Sequence, residues 1–290
     1  MVTALLFLAS PGAFAFEELQ TYGVGNFDGT GECSAGSDLS FTVTQADAFR
    51  DIVAAWGTWD GTTSQVGNLS VDGHDFADAS LDSPAWGEDS VTDEGIDDAD
   101  VAYLSSHGTF DCSGGAGESF SVMVMGDGND NSGEECWLET DSDPSASQTQ
   151  DILVGNTDTE IIYFDTCSSA QKCVFDNDGY DPVNGAELIM WAGYHGVSFD
   201  SSAQVTALEN YVSNSRVSGV GDNWLDYRWV NSIFADSDQC PTVIIWGSSS
   251  TNRDDMYNNG GVEDWIDTGA HTGMGFYFIT NCDPADGNQL

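Results

Sequence analysis

Positive charge is what this sequence most lacks. Its 290 residues carry 5 Lys and Arg against 49 Asp and Glu, a formal charge of −44. A nucleic-acid partner is argued against at once, because binding a phosphate backbone calls for a basic footprint. Long apolar runs are missing too. No stretch after the N-terminus reaches 18 apolar residues, so no integral membrane segment is expected. No internal period of 20–50 residues recurs, which argues against a solenoid.

What is present points to a folded, exported chain. The acidic residues are scattered among 40% hydrophobic ones, so disorder is the poorer reading. A dispersed acidic surface almost without lysine suits work in high salt, where self-repulsion is screened over roughly 3 Å at 1 M. The alternative source of the acidity is an extracellular protein that binds Ca²⁺. Residues 1–15 hold the apolar run Leu5-Leu6-Phe7-Leu8 and end in Ala13-Phe14-Ala15. This is the look of a signal peptide with a small-residue cleavage site, though without its positive start. Residues 16–290 are then read as a single domain. There are 7 cysteines; in an oxidising compartment an odd count leaves one free thiol beside three disulfides of undetermined pairing.

Short apolar blocks bounded by polar turns read as buried strands, at Leu19–Phe27, Ala99–Leu104, Phe120–Met125, Glu160–Asp165, Glu187–Trp191, Thr242–Trp246 and Gly275–Ile279. Leu39–Val43 alternates and reads as a further short strand. Apolar spacing of three and four predicts helices over Gln45–Trp56, Ala203–Asn214 and Trp224–Phe234. Ser168–Phe175 is expected to open another helix. Strands alternating with helices predict an α/β fold, a mainly parallel sheet covered on both faces.

Two of these blocks end in reactive side chains. Val-Ala-Tyr-Leu-Ser-Ser runs into His107-Gly108, and Ile-Ile-Tyr-Phe-Asp-Thr runs into Cys167-Ser168-Ser169-Ala170. Chemistry in open α/β sheets gathers at the carboxyl ends of the strands. An imidazole and a thiol at one edge are the minimum for a cysteine nucleophile with its base. A second His-Gly, His195-Gly196, is a rival base that follows the cysteine instead of preceding it.

The layout resembles the caspase, legumain, gingipain and metacaspase group of cysteine peptidases. Asp165-Thr166-Cys167-Ser168-Ser169-Ala170 is similar to the metacaspase nucleophile motif Asp-x-Cys-x-Ser-Gly, departing at Ala170. Ile96–Tyr103 leading into His107-Gly108 also resembles an uncharacterised family of secreted bacterial proteins. The resemblance implies a three-layer α/β/α sandwich, caspase-like, and a secreted endopeptidase acting on peptide or protein substrates. It implies His107 and Cys167 as the catalytic pair, with Cys167 the unpaired thiol, and Gly108 and Cys167 amides as the oxyanion hole. It implies that Asp165 binds substrate, by receiving an Arg or Lys side chain. No cofactor is required by this chemistry. Asp127, Asn129 and Asn131 have the spacing of oxygen ligands for Ca²⁺, but Ser132 and Leu138 break the EF-hand pattern. The competing expectation is a non-catalytic extracellular binding protein on the same scaffold, using its acidic loops to hold Ca²⁺.

Overall fold

A seven-stranded sheet forms the frame. Its strands are β1 (Leu19–Gly23), β2 (Thr63–Val66), β3 (Val101–Ser105), β8 (Ile161–Asp165), β9 (Met190–Tyr194), β10 (Pro241–Trp246) and β11 (Met274–Phe278). Across the sheet the order is β11-β10-β9-β8-β3-β1-β2. The computed structural model describes residues 17–27, 37–59, 63–66, 71, 73–76, 95–112, 120–124, 137–140, 149–152, 154, 158–175, 187–229, 239–266, 271–280 and 282. The five strands from β2 to β9 run parallel, and β10 and β11 are antiparallel to their neighbours.

Parallel strands buried on both faces read as continuous apolar runs, and each face draws alternate residues. In β8, Ile161 and Tyr163 join one core cluster while Ile162 and Phe164 join the other. Val101 and Tyr103 of β3 divide from Ala102 and Leu104 in the same way. One face is covered by α1 (Thr42–Ala54), α3 (Ser202–Asn214), α4 (Val220–Arg228) and α5 (Ser250–Asn259). Phe49, Leu208, Tyr211, Trp224 and Met256 are its buried contributions. Each such side chain is worth about 1.5–3 kcal/mol on burial.

The opposite face is built differently from expectation. Its only described α-helix is the single turn α2 (Lys172–Phe175). Beside it stands a second sheet of β4 (Gly108–Asp111), β5 (Phe120–Val124), β6 (Trp137–Glu139) and β7 (Thr149–Asp151). Met123, Leu138, Ile152 and Val154 from this region pack into the core cluster of that face. The layered α/β architecture stands, with a small sheet supplying much of one outer layer.

Two helix boundaries also move. The run Leu39–Val43 is no strand, because α1 already begins at Thr42. Its front is closed from far away: the Asp200 carboxylate accepts from the amides of Ser40 and Phe41. An acid at a helix N-terminus is favoured there by the helix dipole. The helix expected from Ser168 begins only at Lys172. Ser168 takes φ +57°, in the left-handed region, and so ends β8 in a sharp turn instead.

Candidate active site

The order β2-β1-β3-β8-β9 reverses direction between β1 and β3. Ligand crevices in such sheets open at that switch point, beyond the carboxyl ends of the strands. A pocket of about 230 Å³ opens there. Leu39, Thr42 and Gln45 line it from the connection after β1, and Ser105, Ser106 and His107 from the end of β3. Asp165 and Cys167 come from β8 and its turn, and Val197–Asp200 from the loop after β9. The structure therefore brings the two expected chemical groups, His107 and Cys167, to one cavity. The rival His195 is placed elsewhere. It is buried, its Nδ1 accepts from the Lys172 amide, and its own amide donates to Cys240 O.

Their nearness follows from register. β3 and β8 are paired with Ser105 opposite Asp165, so both strands end at one level. Gly108 then passes so close to the Cys167 turn that a Cβ on it would stand 2.1 Å from Cys167 O and 3.0 Å from Cys167 N. Any side chain here would force the two loops apart. That close approach is the reason glycine follows the histidine.

His107 is oriented by contacts that the sequence did not announce. Its Nε2 lies 2.8 Å from Ser37 O, and its ring packs against Phe27 at 4.6 Å between centroids. A carbonyl can only accept, so this bond places the proton on Nε2 and leaves Nδ1 as the basic nitrogen.

Cys167 is the free thiol among the described cysteines; Cys112 pairs with Cys173 and Cys240 with Cys282. Cys33 and Cys136 lie outside the described residues. The backbone of Ser198 brackets the sulfur: its amide donates to Sγ at 3.3 Å and its carbonyl stands 3.5 Å away. Burial pushes the thiol up from its ordinary value, and the charge of Asp165 adds to this. The Ser198 amide and the thiol's own amide pull the other way. No helix N-terminus stands directly after Cys167 to lower it, because a turn follows. Such a thiol needs a base to take its proton as it reacts.

Asp165 departs most from expectation. It continues the face of Ile161 and Tyr163, which is the face of α1, α3 and α4. There its carboxylate meets Arg228, whose side chain, like its own, is fully buried. Tyr103 OH donates to Oδ2 at 2.6 Å and Ser198 Oγ to Oδ1 at 2.6 Å. Arg228 also donates to Tyr194 OH at 2.9 Å, to Gln204 O at 2.8 Å and to Gln45 Oε1 at 3.1 Å. The cation foreseen for Asp165 is thus supplied by the chain itself, and the carboxylate is not free to receive one from a substrate. No local signal marks Arg228 for this partner, which stands 63 positions earlier.

The oxygen-ligand candidates Asp127, Asn129 and Asn131 lie outside the described residues, as do residues 1–15, read from the sequence as a leader. Among the described residues, Asp100, Asp158 and Glu160 bring carboxylate oxygens within 4.8 Å of one another at the amino ends of β3 and β8. No described helix is long and apolar enough to cross a membrane.

No known family profile matches the sequence, and no curated protein matches it. Among solved structures it is similar to the crystal structure of protein GSU0716 from Geobacter sulfurreducens, at 12% identity and a TM-score of 0.48. That match covers 86% of this chain and 99% of the other.

Proposed function

We propose that this chain is an exported cysteine peptidase in which Cys167 attacks the peptide carbonyl and His107 moves the proton. One observation carries the reading: an imidazole and the free thiol, delivered by adjacent parallel strands, line the same pocket at the sheet's switch point. The two described disulfides accord with an oxidising compartment.

The chemistry follows from the atoms. His107 Nδ1 takes the Sγ proton as sulfur bonds to the carbonyl carbon and the C=O electron pair moves to oxygen. The amides of Gly108 and Cys167 would receive that oxyanion, a reading supported by the close approach of the Gly108 and Cys167 backbones. Each such donor is worth about 10²–10³ in rate. Collapse breaks the C–N bond, and the imidazolium gives its proton to the leaving amine. Water then hydrolyses the thioester, with His107 again the base. Because burial raises the thiol, the reactive pair works by proton transfer in the bound complex rather than from a standing thiolate.

The second reading, a non-catalytic binding protein, draws on the same raised thiol, since a buried cysteine is often just a small apolar residue. Hydrolysis of fluorogenic peptides by wild type and Cys167→Ala, in mild reductant, from low to molar salt and with or without Ca²⁺, separates the two. Loss of the nucleophile removes about 10⁶ of kcat in enzymes of this kind. Turnover that vanishes in the variant is the expected outcome. Equal turnover by both, or none by either folded protein, sinks the peptidase.

A further inference from the structure

We infer that Ser198 is a positioning residue for Cys167: its hydroxyl, anchored on Asp165, holds its own backbone amide against the sulfur, where that amide answers the negative charge that develops as the proton leaves. The purpose rests on the peptidase reading, but the assignment is tested on the thiol itself, so the two can fail separately.

Ser198 Oγ donates to Asp165 Oδ1 at 2.6 Å. Its amide donates to Cys167 Sγ at 3.3 Å, and Sγ donates to its carbonyl at 3.5 Å. One residue thus spans two groups that β8 and its turn place two positions apart. The loop around it is tied down on both sides. Gly196 O accepts from the amide of Ser168, in the turn after Cys167. The Asp200 carboxylate accepts from the amides of Ser40 and Phe41 at the head of α1. Asp165, the anchor, is itself fixed by Tyr103 and by the buried Arg228. The Ser198 peptide is therefore held in register with the sulfur, and its hydroxyl is the side-chain bond that secures it.

The two backbone contacts are not equal in a reaction. A thiol is a weak donor, so the contact with the carbonyl contributes little. A thiolate can only accept, and an amide facing it makes a charge-assisted bond, roughly twice as strong as a neutral one. Loss of the proton thus forfeits the weaker contact and strengthens the other. Burial raises the thiol, and of the influences that lower it the Ser198 amide is the larger, ahead of the thiol's own amide. The other charged and titratable groups around the sulfur are His107 after β3, Asp165 on β8 and Asp200 in the loop, with Arg228, Tyr103 and Tyr194 behind Asp165. Removing the Ser198 hydroxyl acts by two routes of one sign. The amide is released from the sulfur, and Asp165 loses a donor, so its charge bears more strongly on the thiol.

The test follows alkylation of Cys167 by iodoacetamide, read by peptide mass, from neutral to alkaline pH in molar salt. Wild type, Ser198→Ala and Ser198→Thr are compared, with urea unfolding to show that each is folded. Ser198→Ala should move the midpoint of the pH profile up by about one unit and slow labelling at neutral pH by about 3- to 10-fold. Ser198→Thr keeps the hydroxyl and should hold the wild-type midpoint. A midpoint that stays in place or falls in Ser198→Ala overturns the assignment, as does faster labelling at every pH, which marks only a loosened cover. A shift as large in Ser198→Thr overturns it too. Hydrolysis of the fluorogenic peptides separates the two readings. A shifted thiol in a protein that cleaves no peptide sinks the peptidase and keeps the hold of Ser198 on the sulfur; Cys167-dependent turnover with an unshifted thiol does the reverse.

Discussion

Replacing Arg228 by methionine should be among the most damaging single changes in the described chain, although the residue is remote from Cys167 in sequence. The guanidinium is fully buried and holds Asp165, Gln45, Gln204 and Tyr194, from β8, α1, α3 and β9. Methionine fills much of the space but leaves the Asp165 charge buried with only two hydroxyl donors. Breaking one side of a buried pair costs about 3–5 kcal/mol. With a urea slope of about 2–3 kcal/mol/M, the midpoint should fall by roughly 1–2 M. Adding Asp165→Asn removes the stranded charge, so the double variant should be more stable than the summed single effects by about 2–3 kcal/mol. Urea unfolding followed by tryptophan fluorescence in molar salt measures all four proteins. A loss below about 1 kcal/mol for Arg228→Met, or strict additivity of the pair, would refute the reasoning. The single variant carries a second readout. Asp165, no longer neutralised, should push the neighbouring thiol still higher and slow its alkylation at neutral pH.

Further expectations follow from other contacts. On the peptidase reading, Gly108→Ala should lower kcat by about 10²–10³ by displacing the proposed oxyanion donors, with a cost of about 1–3 kcal/mol from the forced separation of the loops; peptide hydrolysis and thermal melting check it. Cys112→Ser with Cys173→Ser opens a link of sequence separation 61, which is worth about 4 kcal/mol in chain entropy, and should lower both melting temperature and turnover. Glu160 is raised to about 9, first by burial and then by the charges of Asp100, Asp158 and Glu187. Its folded value lies above the ordinary 4.5, so the folded state holds the extra proton, and the stability this provides is lost as pH rises from about 4.5 to about 9. Glu160→Gln should match wild type near pH 5 and exceed it increasingly toward pH 9 in urea unfolding; parallel curves would refute the assignment.

The strands that lead to His107 and Cys167 were legible because both are buried on two faces, so Val101–Leu104 and Ile161–Phe164 appear as unbroken apolar blocks. The histidine and cysteine at their ends needed only the rule that chemistry collects at carboxyl edges. Of the second sheet only β5 was legible, as the strand read at Phe120–Met125. β4, β6 and β7 are three or four residues long, too short for a period of two to declare itself. α5 was equally hidden, since Met256 is its one buried residue and most of its other residues are polar. At the site, the hidden parts are those that act at long range. Ser37 reaches His107 through a backbone carbonyl, which any residue type could supply. Ser198 reaches Cys167 across 31 positions, again through its backbone. Leu39–Val43 misled because Asp200, far along the chain, supplies the cap that lets α1 start at Thr42. Asp165 misled because a motif shows a carboxylate but not the arginine that has already claimed it.

The Cys112–Cys173 link has a consequence for the chain once it is cut. His107 lies on the N-terminal side of 141–148 and Cys167 on the C-terminal side, and each has a bonded cysteine within six positions of it. A protease that nicked the chain there would yield two polypeptides still joined covalently, one bearing His107 and the other Cys167. Such a form would run as one band without reductant and as two with it. The Cys112–Cys173 link thus holds His107 and Cys167 in one covalent unit through a cleavage that would separate an unlinked chain.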